Sequence, residues 1–322
     1  MTPIDTTPTI TVVNLNPCFD WSWHIGDFTH GGMNRVTQTR SDIAGKGLNV
    51  CFALKNLGLE LFCTGFHFTQ NGAEIITALD KAGITHDFVS IDGTTRTNIK
   101  LYDASGKMTE LNQPGAFVPT EAQDNLMEKI LSRARKSSDC DDILVLSGSR
   151  PANVPADFYA RLCAAWPGRT LLDTEGEALR LAIGYDTPTP PSRVPFLIKP
   201  NLFELESTFG VKLPTRDAIA DFARTLISKG VRYVCVSMGA DGAMLVSANE
   251  MHYAPPLPVE VKAVQGAGDA MVAGLIYAAC VIQPISSSYL LRCGIAAATA
   301  TVALEGTQMC DIASFGNFLQ KP

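Results

Sequence analysis

The sequence lacks a basic surplus. Its 26 Lys+Arg stand against 32 Asp+Glu, a net charge of −6, and a nucleic-acid surface needs the opposite balance, so that class is disfavoured. It also lacks a run fit to cross a membrane. The longest uncharged stretch near the C-terminus, Ala270 to Leu291, loses its apolar character at Ile282 and is broken by Pro284 and Ser286-Ser287-Ser288. That leaves about 13 apolar residues where a spanning helix takes about 20. No basic segment followed by an apolar run opens the chain (MTPIDTTPTI), so no secretory leader is expected. Close cysteine pairs are missing. The nine cysteines are scattered, with no C-x-x-C and no zinc spacing, which fits thiols kept in a reducing cytoplasm. The five histidines form no H-E-x-x-H pattern, and the phosphate loop G-x-x-x-x-G-K-[ST] is absent. What is present is apolar material: 46% of 322 residues is enough for a sizeable core and excludes a disordered chain. The length suits two domains or one large α/β unit.

Short aliphatic runs alternate with helical periodicity. Thr9–Val13 is β-branched throughout and reads as a strand; Trp21 to Arg40, with Gly31-Gly32 inside, reads as a hairpin. Leu48, Cys51, Phe52, Leu54 and Leu57 mark one face of a helix stopped by Gly58, and a second helix runs from Ala73 to Ala82. Phe88 to Glu110 reads as short strands around two turns. From about residue 120 strands (143–146, 170–172, 196–198, 233–237) alternate with helices (156–165, 177–183, 218–229), the pattern of a parallel sheet covered on both faces. Thr187 to Pro195 is a proline-rich loop. The two β patches suit a lid over a site, an oligomer contact or a decorated edge.

Four segments carry candidate chemistry. Val264-Gln265-Gly266-Ala267-Gly268-Asp269 follows a strand expected over 259–264 and opens a helix from Asp269 to Ile282. Small residues at a helix start let backbone amides converge on an anion. An aspartate there is either an N-cap or a base. Ser237-Met238-Gly239-Ala240-Asp241-Gly242 follows a buried strand, where a ligand or simply a tight turn belongs. In Lys199-Pro200-Asn201-Leu202-Phe203-Glu204, the oxygens of Asn201 and Glu204 suit Mg²⁺ with retained waters, and equally suit a capping box. Ala44-Gly45-Lys46-Gly47-Leu48-Asn49 precedes a helix that could hold a second anion.

Taken in order, these blocks resemble the ribokinase-like (PfkB) sugar kinases. Asn16 to Asp20, AGKGLNV (44–50), TRTNIK (95–100), SGSRP (147–151), DTEGEAL (173–179), KPNLFEL (199–205), VSMGADG (236–242) and QGAGDAMVAG (265–274) carry the likeness over most of the chain. Within that family the chain looks most like the phosphosugar branch, with Asn16 to Asp20, AGKGLNV and TELNQPG (109–115) nearest the 1-phosphofructokinase group. Departures include Gln265 where valine is usual, Ala270 for serine, and Arg150-Pro151-Ala152-Asn153 for Leu-Pro-Pro-Gly. The loop 185–195 is longer than usual. Gln265 and Arg150 lie where they bear on substrate choice.

The resemblance implies a three-layer α/β sandwich with a mostly parallel sheet, one kinase domain over 1–322 and a β lid from about 18–43 and 88–114. It implies ATP-dependent phosphorylation of a phosphorylated ketohexose. Fructose 1-phosphate leads. Tagatose 6-phosphate or fructose 6-phosphate, then an unphosphorylated sugar or a nucleoside, then a non-catalytic sensor follow. Asp269 matches the base, and Gly266, Ala267 and Gly268 match the anion hole. Asp20, Gly45 and Asn49 match sugar-hydroxyl positions, and Lys46 and Arg96 match cations for the substrate phosphate. Lys199 lies near the ATP phosphates, Asn201 and Glu204 match the Mg²⁺-organising pair, and Ser237, Gly239 and Gly242 match the nucleotide loop. The family's setting is cytoplasmic, without nucleic acid or membrane, and several members dimerise through the lid.

Overall fold

The computed structural model describes residues 8–135, 141–282 and 284–321. The opening seven residues, on which the absence of a leader was read, and Cys140 lie outside them. The described residues form strands β1 (Ile10–Asn14), β2 (Cys18–Ile25), β3 (Val36–Ala44), β4 (Phe62–Phe68), β5 (Thr85–His86), β6 (Val89–Ile91), β7 (Arg96–Tyr102), β8 (Met108–Asn112), β9 (Ile143–Ser147), β10 (Arg169–Asp173), β11 (Leu197–Ile198), β12 (Tyr233–Ser237), β13 (Ala243–Val246) and β14 (Met251–Ala254). The helices are α1 (Lys46–Asn56), α2 (Ala73–Lys81), α3 (Thr120–Ser132), α4 (Phe158–Ala165), α5 (Gly176–Ala182), α6 (Leu202–Phe209), α7 (Arg216–Ile227), α8 (Ala267–Val281), α9 (Ser287–Val302) and α10 (Ile312–Leu319). None of them is long and apolar enough to cross a membrane.

The main sheet runs β14-β13-β12-β11-β10-β9-β1-β4-β5, with β6 pairing on β4. From β12 to β5 every pairing is parallel; β13 and β14 close one edge antiparallel. Strands such as Ile143–Ser147 are buried at every position, so both faces need cover. One face packs Leu48, Leu54, Leu275, Leu290 and Phe315 from α1, α8, α9 and α10. The other packs Leu126, Phe158, Leu179, Leu205 and Leu226 from α3 to α7. This is a three-layer α/β sandwich.

A second sheet, β3-β2-β7-β8, stands apart from the first. The hairpin expected from residues 21–40 is its β2–β3 pair, joined in parallel by β7. Two expectations are corrected. The patch from residue 88 does not belong wholly to this sheet: Val89–Ile91 pairs with Phe66–Phe68 in the main sheet, and the small sheet begins at Arg96. Residues 259–264 are not a strand. The N–H groups of Lys262 and Ala263 donate to the single carbonyl of Val302, and Val261 and Val264 lie exposed, so the alternation there faces no partner strand.

Candidate active site

The loops after β1, β9, β10 and β11 and the starts of α1 and α8 meet at the C-terminal end of the parallel strands, where open α/β sheets hold ligands. Asp269 sits in the first turn of α8, 6% exposed. Its Oδ2 accepts a 2.7 Å hydrogen bond from Asn49 Nδ2 on α1. Burial and then the negative charge of Asp173 push its carboxyl up to about 7, against the pull of Lys46, Asn49 and Lys199. A carboxyl poised there exchanges a proton near neutrality, as a base must.

The groups around it form one charge network. Asp173 ends β10, fully enclosed, and faces Lys199 Nζ at 3.1 Å and Lys46 Nζ at 3.7 Å, with Ser147 Oγ donating at 3.1 Å. Burial raises this carboxyl, but the two ammonium groups outweigh it and hold Asp173 below the usual carboxylate range. Lys46 also reaches Glu204 Oε1 at 3.2 Å, and Asp173 holds its ammonium well above the usual range despite burial. Two lysines against three carboxylates leave the network short of positive charge.

The start of α8 provides the amides. Gly266 adopts φ 75°, a left-handed turn that L side chains rarely take, and a Cβ there would run into the Met309 methyl. The first helical N–H groups have no acceptor within the helix. Ala267 reaches back only to the Val264 carbonyl at 3.4 Å. A Cβ on Gly268 would lie 3.4 Å from Lys199 Nζ, so the ammonium stands at this helix start.

Asn201 and Glu204 form the capping box: Glu204 N donates to Asn201 Oδ1 at 2.7 Å, and Asn201 N to Glu204 Oε2 at 2.8 Å. Asn201 Oδ1 and both Glu204 oxygens therefore have protein partners. Among the described residues no cluster of three or more acidic, cysteine or histidine side chains is placed to hold a metal. Mg²⁺ does not need one, because it keeps waters and binds through one or two carboxylates and substrate phosphates. The carboxylates of Glu204 and Asp173 fit that use.

One recess reaches the network at Lys46, and a second lies along the small sheet beside Gln265. The first, of about 610 Å³, is lined by Lys46, Arg96, Asn14, Asn16, Ser149 and Arg150, among others. Arg96 donates to the carbonyls of Asn16 and Gln113 and to Asn98 Oδ1 and has no carboxylate partner among the described residues. The other, of about 290 Å³, holds Asp20, Lys100, Tyr102 and Gln265. Asp20 pairs with Lys100 Nζ at 2.6 Å and accepts from Asn98 Nδ2 at 3.0 Å, so Asn98 links Asp20 to Arg96. Gln265 Nε2 donates to Tyr102 Oη at 2.9 Å, tying the small sheet to the residue before Gly266.

Of the expected residues, Lys46, Asn49, Lys199, Glu204 and Asp269 come together in one network, with Arg96 and Asp20 in the flanking recesses. Gly45, at φ 128°, caps α1 beside them. Ser237, Gly239 and Gly242 lie apart at the end of β12, where Ser237 N donates to Pro200 O at 3.2 Å and Gly239–Asp241 makes a single 3₁₀ turn. Sequence reasoning gave no role to Asp173, Asn98 or Lys100. For Asp173 there was a signal, a carboxylate ending an aliphatic run in a parallel strand.

The sequence profile described as "pfkB family carbohydrate kinase" matches residues 15–313. A 1-phosphofructokinase of Borreliella burgdorferi is 32% identical over 305 residues, 94% of each chain. Phosphofructokinase-2 of Escherichia coli, in a crystal structure, superposes with TM-score 0.85 at 25% identity, covering 97% of this chain and 98% of that one. A ribokinase structure from Thermotoga maritima superposes with TM-score 0.77 at 20% identity over 98% of this chain and 100% of that one, a likeness of fold.

Proposed function

Since the chain belongs to the pfkB family of carbohydrate kinases, we propose that it transfers the γ-phosphoryl group of ATP to fructose 1-phosphate, giving fructose 1,6-bisphosphate and ADP. The observation that carries this is the pairing of a buried carboxyl poised at about 7, Asp269, with a recess at Lys46 in which the Arg96 guanidinium pairs with no carboxylate among the described residues. Asp269 takes the proton of the attacking sugar hydroxyl. The amides of Gly266, Ala267 and Gly268 and the Lys199 ammonium meet the charge that builds on the transferred group. Phosphoryl transfer asks for positioning and charge stabilisation more than covalent chemistry. Asp20, Gly45 and Asn49 hold sugar hydroxyls, and Lys46 and Arg96 hold the phosphate the sugar already carries. Ser237, Gly239 and Gly242 take the nucleotide. Glu204, with Asn201 fixing its orientation, and Asp173 would hold Mg²⁺. When bound, the ion would supply positive charge that offsets the phosphates and the network's excess of carboxylates.

The small sheet β3-β2-β7-β8 acts as the lid of a single kinase domain, latched by Gln265 and Tyr102. Its hairpin exposes Phe28 and Met33, the latter 83% exposed, and Leu111 is exposed on β8. That apolar surface supports a homodimer through the lid. The eight described cysteines are free thiols, which fits the cytoplasm.

A coupled ADP-release screen over fructose 1-phosphate, fructose 6-phosphate, tagatose 6-phosphate and fructose tests the reading. Turnover greatest with fructose 1-phosphate is expected, and ADP release with none of the three phosphosugars overturns it. In the same assay Arg96→Ala should raise KM for the phosphosugar about tenfold or more, since a charge-assisted contact is lost. An unchanged KM would point to a neutral substrate. The reacting base must be deprotonated, so kcat/KM should fall about tenfold per unit as pH drops below Asp269's value of about 7. A rate profile flat from about pH 5.5 to 8 would remove Asp269 from that role.

A further inference from the structure

We propose that Arg150 is a further cation of the substrate-phosphate recess, one that sets the preference for a phosphorylated over an unphosphorylated sugar. The inference rests on the reading above and adds a residue to it. Arg150 lines the recess that holds Lys46 and Arg96. One of its nitrogens, Nη1, donates to the carbonyls of Val154 and Ala152, which fixes the guanidinium to its own turn. Nε and Nη2 make no hydrogen bond, and the side chain has no carboxylate partner, among the described residues.

A chain of contacts joins this turn to the other two cations. Arg96 donates to the Asn16 carbonyl, and Asn16 Nδ2 donates to Ser149 Oγ at 3.1 Å, one residue before Arg150. A Cβ on Gly148 would lie 3.3 Å from Lys46 Cβ, so the same turn packs on the lysine stem. Glu175 and Glu177 also line the recess and pair with neither guanidinium. Two guanidinium groups held by backbone carbonyls in one recess, each with carboxylates nearby and none engaged, leave a planar set of donors for a group with several oxygens. A phosphate monoester accepts such donors bidentately. With two glutamates in the recess the net field is small, so the contact must be made directly and not by long-range attraction.

The sugar's phosphate and the phosphates of ATP share this chemistry, and kinetics separates them. In Arg150→Leu, which keeps most of the apolar stem, KM for fructose 1-phosphate should rise about tenfold to a hundredfold while kcat changes less than about threefold. KM for ATP should stay within about twofold, and so should kcat/KM for unphosphorylated fructose. Arg150→Lys should recover part of the loss, because the charge returns without the planar fork. Inorganic phosphate, competing with the sugar phosphate, should inhibit the variant less than the native enzyme. Equal losses for fructose and fructose 1-phosphate would assign Arg150 to holding its turn and overturn the proposal, as would an unchanged KM for the phosphosugar or a loss confined to ATP. A native enzyme inactive on every phosphosugar would instead remove the reading on which this inference rests.

Discussion

Asp269→Asn should lower kcat by about 10²- to 10⁴-fold while ATP still binds with near-native affinity. The amide fills the same volume and can still meet Asn49, once one of the two amides turns, so α8 and its first-turn N–H groups stay in place. What it cannot do is accept a proton from a sugar hydroxyl at neutral pH. The change also removes a buried carboxyl that sits within the field of Asp173, so the folded protein gains or holds stability. Urea unfolding and calorimetric ATP titration alongside the ADP assay separate chemistry from folding. Turnover within about tenfold of the native enzyme, with ATP binding intact, would place the base elsewhere.

Gly65→Ala should destabilise the chain by about 3 kcal/mol or more. Gly65 lies in β4 opposite Asn14 of β1, in the parallel register Val13↔Thr64, Asn14↔Gly65. Its φ is 148°, where a side chain is strained, and a Cβ would overlap the carbonyl oxygen and carbon of Asn14. Neither backbone can yield cheaply, because β1 is enclosed at every position and pairs with β9 on its other side. The strand that would be pushed carries Asn14 and leads to Asn16, both of the phosphate recess, so surviving folded protein should also lose phosphosugar affinity. Gly26→Ala is the control: nothing lies within 4 Å of its Cβ and its φ is outside the strained range, so its midpoint should move by no more than about 0.5 kcal/mol. A Gly65→Ala midpoint in urea equal to that of the control would mean the close approach carries no energetic weight.

The parallel core was legible because each strand is a short aliphatic run enclosed on both faces, a pattern that alternating helices turn into one topology. Where the reading failed, composition and environment part. Val259–Val264 alternates like a strand, but the N–H groups of Lys262 and Ala263 go to the Val302 carbonyl, and Val261 and Val264 face outward. Val89–Ile91 looked continuous with the lid patch, yet three residues suffice to pair with Phe66–Phe68, and sequence does not say which edge a strand of that length will find. The site was legible as a set of motifs, and Lys46, Asn49, Lys199, Glu204 and Asp269 do meet. Asn201 and Glu204 were open between a cap and a metal pair, and the capping box is formed. Lys100 and Asn98 went unread because their roles depend on partners 80 and 78 positions away, a separation with no local signature, whereas Asp173 carried one in its place at the end of an aliphatic run.

The single hydrogen bond from Asn49 has a stereochemical consequence. An ionised carboxylate offers two oxygens and about four lone pairs. Asn49 engages Oδ2, while Oδ1 makes no hydrogen bond among the described residues. Asn49 is itself fixed on α1, four positions from the cap residue Gly45, whose carbonyl receives its N–H at 3.0 Å. With Asp269 as the proposed base, Oδ1 is the oxygen that no protein donor engages among the described residues, and so the freer of the two to receive a sugar hydroxyl. For a ketohexose anchored at the far end by its phosphate, regiochemistry then reduces to reach. On that reading, the carbon that is phosphorylated is the one whose hydroxyl spans the distance from the guanidinium recess to that oxygen.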